Sequence, residues 1–395
     1  MVGNQKMKLI FVSDNLYPDG GAAANRHLAY VKGLKELGHE IEFILLKEQH
    51  WNEKELLHDG IKFTSVYGEN FNTSSGIKKI QSYTGAIRKA KEKISSTHKQ
   101  HAAAALILLN TGVTSIIPLL KQGRKLGLKV FHERTEYPFV VASKTILGKI
   151  GLFLYLKFIL KKFDGIYVIN NALKKYFSEI TKRKIPICII NMIVDPARFE
   201  CVNRKSRTTE TIITYCGSLD SDKDGVPILI ESFAIIAHEF PFLRLQLIGS
   251  LNNNETEQKI KSLVQKLNIE GKVLFTGSLK REEIPEFLSN SDILALARPN
   301  NKQAEGGFPT KLGEYLATGN PVVVTNVGEI GLFLKDMKNA FIAEPDSAEK
   351  FSEKLREVLL NDNKVQIGIE GKKLVYNEFN YLTQAKILEK MLQGN

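Results

Sequence analysis

The chain has 395 residues, 43% hydrophobic and 25% charged, a length that suits two or three domains and a balance that excludes a disordered chain. Cys188, Cys201 and Cys216 are too few, odd in number and without metal-ligand spacing, which excludes a disulfide scaffold and points to a reducing compartment. Net charge is +12, but residues 1–200 hold 31 basic and 17 acidic residues and the remainder 24 and 26, so the basic character belongs to the first half. That half must face something anionic: a nucleic acid, a membrane surface or a phosphorylated substrate.

In chain order, Lys8–Ser13 reads as a buried strand, followed by a glycine-rich turn and a helix over Ala22–Leu37 that Gly38 stops. Strands follow at Glu40–Leu46, Ala105–Leu109, Lys129–His132 and Gly165–Ile169, with helical stretches between them. Residues 198–211 are polar and aperiodic, which suggests a linker. A second series then runs through Thr211–Tyr215, Leu243–Ile248, Lys272–Thr276, Asp292–Leu296, Pro321–Thr325 and Asn339–Ile342. The expected fold is α/β: two Rossmann-like, doubly wound parallel-sheet domains facing a cleft. The expected divisions are 1–200, 201–375 and a terminal helix over 376–395 that packs back on the first domain. No signal peptide is expected, because Met1–Lys8 is polar and Leu9–Ser13 is short. No membrane span is expected, because Lys149 and Lys157 break Ile146–Leu160.

The densest chemistry lies in Arg298–Val324. A strand runs into a polar loop with Glu305, Gly306 and Gly307, and Pro309 sits at the expected first helical position. Free N–H groups at such a helix start form an anion site. Lys311 in the first turn opposes the helix dipole unless an anion binds there. Glu314 shares its face, and a carboxylate there can accept two hydroxyls, such as those of a ribose. A second loop, Gly217-Ser218 to Gly225, carries Lys223 and an Asp220-Ser-Asp222 run that is more simply a dipole-favoured helix start than a metal site. A third, Asp19 to His27, places Gly20, Gly21, Asn25 and Arg26 at the first strand–helix turn; it is not a dinucleotide fingerprint. His132 falls at the carboxyl end of a strand, where it would face the cleft.

The run G-F-P-T-K-L-G-E-Y-L-A-T-G-N-P-V-V from Gly307 resembles the donor-binding signature of GT-B glycosyltransferases, specifically the retaining enzymes of family 4. The resemblance extends over nearly the whole chain and implies direct roles for His132, Lys223 and Glu314. Glu314 would hold the donor ribose, Lys223 the diphosphate, and His132 would sit beside the transferred sugar. Gly307, Phe308, Pro309 and Thr310 would offer backbone groups to the donor, with Gly217 and Ser218 nearby. Gly20 and Gly21 would lie by the phosphates and the acceptor. Two positions depart from the family pattern: Gly306 stands where a second glutamate is usual, one residue from Glu305, and Ser218 where an arginine is usual. Lys311 or Arg298 would supply the missing charge.

The implied reaction is metal-independent transfer of a sugar from a nucleotide-sugar, with uridine preferred over guanosine and no further cofactor. Two rivals are a sugar-nucleotide epimerase, which would need acid and base side chains that cannot be assigned, and a non-catalytic scaffold. Lys78, Lys79, Arg88, Lys89, Lys91, Lys93 and Lys99 stand against Glu92 alone, and Ile146–Phe163 reads as a basic amphipathic helix. These features suit an anionic membrane surface and a glycan or polyprenyl-diphosphate-linked acceptor of bacterial surface polysaccharide assembly, with a cytoplasmic location at the inner face of the membrane. Aromatics are not interleaved with the basic run apart from Tyr83, so nucleic acid is not expected.

Overall fold

A computed structural model gives the structure of residues 6–18, 21–49, 51, 53–67, 76–109, 112–141, 145–203, 209–219, 222–251 and 254–394. The chain forms two compact units, Met1–Ile193 with Tyr381–Asn395, and Val194–Asn380. The division falls before the polar stretch read as a linker, because residues 194–200 are bonded into the second unit. Val194 N–H donates to the Phe379 carbonyl (2.9 Å), and Arg198 pairs with Glu314. The terminal helix Tyr381–Gln393 buries Ala385, Leu388, Met391 and Leu392 in the core of the first unit.

The first unit holds β1 (Lys8–Ser13), β2 (Glu40–Leu45), β3 (Glu55–His58), β4 (Ile61–Ser65), β5 (Ala105–Leu109), β6 (Lys129–Arg134), β7 (Gly165–Val168) and β8 (Ile187–Ile189). Their order is β3-β4-β2-β1-β5-β6-β7-β8. All pairs are parallel except β3–β4. That hairpin departs from the wholly parallel expectation. Asp59 and Gly60 both take positive φ (51° and 67°), as a two-residue hairpin turn requires. Apolar strands such as β1 and β5 are buried along almost their whole length, since helices cover both faces. Phe11 and Phe43 stack across β1 and β2 at 5.1 Å, and Phe63 continues the cluster.

The second unit holds β9 (Thr211–Cys216), β10 (Leu243–Ile248), β11 (Val273–Gly277), β12 (Ile293–Leu296), β13 (Val322–Thr325) and β14 (Phe341–Ala343). The order β11-β10-β9-β12-β13-β14 is parallel throughout. Strand order reverses between β9 and β12, and in such sheets ligands bind outside the carboxyl ends at that switch point. In the first unit the reversal lies between β1 and β5.

The segment read as one amphipathic helix is three pieces: α-helix Ile146–Leu154, a π-turn over Tyr155–Ile159 and a 3-10 turn over Leu160–Lys162. No residue of the α-helical piece is buried, whereas Tyr155, Ile159 and Leu160 are. No described helix is long and apolar enough to cross a membrane.

Candidate functional site

The site in the second unit is built where β9 and β12 end. The helix Thr310–Thr318 buries Leu312, Tyr315 and Leu316 and stops at Gly319, whose φ is +77°. Tyr315 anchors it: its hydroxyl accepts from Cys216 N–H at 2.7 Å, tying the helix to the end of β9. The Asn320 amide donates to the carbonyls of Leu288, Ser289 and Ser291 (3.0, 3.2 and 2.7 Å), which explains Asn in the Thr-Gly-Asn-Pro run. The alternation Glu-Tyr therefore turns Tyr315 inward and leaves Glu314 at the rim. Pro309 is the N-cap rather than the first helical residue, with φ −72° and ψ 109°. Phe308 packs against Phe333 and Phe379 and holds the glycine loop down.

Lys311 is not a spare cation. Its ammonium pairs with Asp224 and donates to the Tyr215 hydroxyl (2.9 Å), which in turn donates to Asp224 (3.0 Å). Burial would raise the Asp224 pKa, but the Lys311 charge and hydrogen bond, with help from Arg298 and Tyr215, hold it below the ordinary value. The expectation that Lys311 offers its charge to a ligand is corrected: Asp224 already holds it. Arg298 is 1% exposed and lies under the loop, its Nη2 3.5 Å from the Gln303 carbonyl and from where a Gly307 Cβ would stand. Two cations thus flank one carboxylate behind the start of the helix.

The loops here meet backbone to backbone. A Cβ on Gly225 would lie 1.9 Å from the Ala297 carbonyl, and one on Gly249 would lie 1.8 Å from the Gly217 carbonyl. Gly217 itself faces the Lys311 ammonium and Tyr215 hydroxyl. β9, β10 and β11 each run into Gly-Ser-Leu, at Gly217, Gly249 and Gly277. This threefold Gly-Ser-Leu is a local repeat at successive strand ends.

Glu314 accepts from Arg198 (2.5 Å), and Arg198 also donates to the Arg281 carbonyl (2.8 Å). Arg198 was read as linker, because its partner is 116 residues away and nothing local marks it. Glu305 pairs with exposed Lys302 at 2.6 Å, and Gly306 N–H closes that short helix on the Lys302 carbonyl. Lys223 lies on the 3-10 turn Asp222–Asp224, half-buried, and Ser218 is exposed. Thr310 opens the helix. Asp220 and Ser221 lie outside the described residues. Among the described residues no group of three or more His, Cys, Asp or Glu is placed to hold a metal.

In the first unit, Gly20 lies outside the described residues. Gly21 starts the helix Gly21–Glu36 at φ +71°, exposed, and Asn25 is half-buried one turn on. Arg26, at this turn, is an internal clamp and does not open to the loop. It is 2% exposed and donates to Glu133 (2.9 Å) and to the carbonyls of Ile190 and Asn191. Glu133 also bonds His27 at 2.6 Å; burial opposes its charge, but His27 and Arg26 bring its pKa down to about 2. His132 does not open to solvent: it is 0% exposed and stacks on Phe163 at 4.8 Å. Its neutral form is fixed because burial, with the Arg134 charge, lowers its pKa to about 3. Sequence reading missed Asp14, which follows β1 at the switch point. Burial raises its pKa to about 6 against Lys47 and a hydrogen bond from the Gly112 backbone.

Residues 200–374 match the family described as glycosyl transferases group 1. This stretch holds the Gly217 loop, Lys223, the glycine loop and the Glu314 helix. The chain is 29% identical over 143 residues to mannosylfructose-phosphate synthase of Agrobacterium fabrum, covering 35% of this chain and 30% of that one. It is 24% identical over 213 residues to the putative colanic acid biosynthesis glycosyltransferase WcaL of Escherichia coli, covering 53% and 51%. The chain thus spans about half the length, or less, of these curated relatives. Anabaena Alr3699/HepE, solved with UDP and glucose, shares the fold over 98% of this chain and 100% of its own, with a TM-score of 0.75 and 14% identity. With a parallel-sheet α/β architecture in each unit, the chain has the GT-B fold, and the group 1 match lies within the second unit.

Proposed function

We propose that the chain is a retaining glycosyltransferase, moving a sugar from a uridine nucleotide-sugar to a glycan or polyprenyl-diphosphate-linked acceptor in bacterial surface polysaccharide assembly. The observation that carries this reading is the second unit's switch point: Lys311 and Arg298 flanking Asp224 behind the start of Thr310–Thr318, with Glu314 at the rim. When the nucleotide-sugar bond breaks, the diphosphate leaves with growing negative charge. Backbone N–H groups of Gly307, Phe308 and Thr310 and the Lys223 ammonium stabilise that charge, while Arg298 adds field from below. Glu314 accepts the ribose hydroxyls, with Arg198 fixing its carboxylate. The nucleophile is the acceptor hydroxyl, attacking the face the diphosphate leaves, and no metal takes part. UDP in the HepE structure and the role printed for WcaL support the donor and the pathway.

The acceptor reaches the first unit at an anionic membrane surface. Ile146 and Leu147 are 78% and 81% exposed, and Phe153 and Phe158 are exposed with Lys157 over both rings. Apolar side chains ringed by lysines suit a lipid headgroup boundary.

The test is incubation with UDP- and GDP-sugars and a polyprenyl-diphosphate-linked sugar in EDTA, followed by NMR of the product's anomeric proton. The reading predicts acceptor-dependent UDP release and a product with the donor's anomeric configuration. An inverted product, or activity lost in EDTA and restored by manganese, contradicts it.

A further inference from the structure

Glu314 is gripped from one side only. Arg198 Nη1 donates to its Oε1 at 2.5 Å, while Arg198 Nη2 donates to the Arg281 carbonyl at 2.8 Å. One guanidinium thus ties the helix Thr310–Thr318 to the chain that follows β11. The pair is mostly buried, with 16% and 17% side-chain exposure. Lys311, one turn earlier, is taken by Asp224, so among the described residues Arg198 is the cation paired with Glu314. Arg198 reaches the carboxylate through Nη1 alone, and Glu314 Oε2 accepts from none of the described residues.

Arg198 is itself fixed. It lies in the 3-10 turn Pro196–Phe199, where the Asp195 carboxylate accepts from the Ala197 N–H at 3.2 Å. The buried Phe199 ring lies 5.7 Å from its guanidinium. Without such a hold, a carboxylate at a helix rim turns to water when a ligand offers it nothing. A carboxylate gripped by a planar guanidinium keeps its direction. Oε2 and the open lone pair of Oε1 then stand as fixed acceptors, suited to the neighbouring 2′ and 3′ hydroxyls of a ribose. A 2′-deoxyribose meets one of them with C–H and shields it from water, leaving an acceptor unmet. A site built to bond a hydroxyl rejects the analogue lacking it far more strongly than an apolar pocket rejects a misfit.

We propose that Arg198 sets the donor's nucleotide class. By holding Glu314 still, it admits ribonucleoside diphosphate-sugars and rejects their 2′-deoxyribonucleoside counterparts, deoxythymidine compounds included. This selection rests on the reading of Glu314 as the ribose acceptor and adds what the guanidinium discriminates.

The test uses the full chain. UDP and 2′-deoxyUDP, which differ by one oxygen, are titrated calorimetrically into the wild type, Arg198→Met and Arg198→Lys, with melting temperatures read in parallel. The wild type should bind UDP about tenfold or more tighter than 2′-deoxyUDP. Arg198→Met should lose about tenfold for UDP but little for 2′-deoxyUDP, so that the ratio falls to about twofold. Arg198→Lys, a point charge that cannot grip Glu314 and the Arg281 carbonyl together, should give an intermediate ratio. A merely structural role would weaken both nucleotides equally. An unchanged ratio in the variants, or a wild-type ratio near one, therefore overturns the proposal. If Arg198→Met is too unstable to titrate, the wild-type and Arg198→Lys ratios decide the matter by the same criteria. Failure of the wild type to bind UDP, GDP or ADP sinks the glycosyltransferase reading instead. If GDP alone binds, the uridine preference fails, and the same ratios are read with GDP and 2′-deoxyGDP.

Discussion

The Lys311 ammonium is held by the Asp224 carboxylate across 87 residues, joining the helix Thr310–Thr318 to the loop that leaves β9. The pair is mostly buried, with 18% and 6% side-chain exposure. Removing one partner leaves the other as an uncompensated buried charge, which costs about 3–5 kcal/mol. Lys311→Ala and Asp224→Ala should each destabilise the second unit by that order in urea titrations. The double variant should cost less than the sum. Single losses below about 1 kcal/mol would show that solvent replaces the pair freely.

Close backbone packing makes a second prediction. Gly249→Ala drives a Cβ into the Gly217 carbonyl, and Gly225→Ala drives one into the Ala297 carbonyl at φ +67°. Each should cost on the order of 1–3 kcal/mol and loosen the loops at the ends of β9 and β10. Thermal melts with and without UDP check it. A variant that melts and binds as the wild type does would show that the loops separate without cost.

The first unit should be acid-labile in two stages. The folded His132 pKa is about 3 against an ordinary 6.5, so the buried ring is neutral. Its contribution is complete above pH 6.5 and declines as pH falls toward 3, at about 1.4 kcal/mol per pH unit within that window. Glu133, lowered to about 2 from 4.5, adds a further loss below pH 4.5. Trp51, the single tryptophan, reports this unit through its bond to the Tyr17 carbonyl. Asp14, raised to about 6, takes up a proton in the same window and offsets part of the loss, so the His132 share is read as the difference between the wild type and His132→Phe in urea titrations followed by Trp51 fluorescence, about 2 kcal/mol between pH 6.5 and 5. Equal losses in both proteins would refute the assignment to His132.

At low salt the protein should co-sediment with vesicles containing phosphatidylglycerol. The Leu147→Asp, Phe153→Asp variant should remain in the supernatant with UDP affinity unchanged. Undiminished retention of the variant would place membrane contact elsewhere.

The alternation of apolar strands and helices was enough to read both sheets, because buried parallel strands are continuous apolar runs. The short β3, β4 and β8 escaped: β3 alternates exposed and half-buried residues, and β8 is three half-buried residues long. Asp59-Gly60 was the one clear hairpin signal. The Glu314 helix was legible because its cap, loop and stop are contiguous. Arg198 and Asp224 were not, since their roles come from partners brought by the fold from far along the chain. Lys311 was misread for the same reason: a cation at a helix start looks available until its carboxylate is found.

The central claim is that Glu314 and its helix bind a uridine nucleotide. The most direct measurement is the thermal shift of the wild type and of Glu314→Ala with UDP, GDP and ADP, without metal. At about 100 times its dissociation constant, UDP should add ~2.7 kcal/mol to the wild type and little to Glu314→Ala. No shift with any nucleotide, or the same UDP shift in Glu314→Ala, would contradict the account.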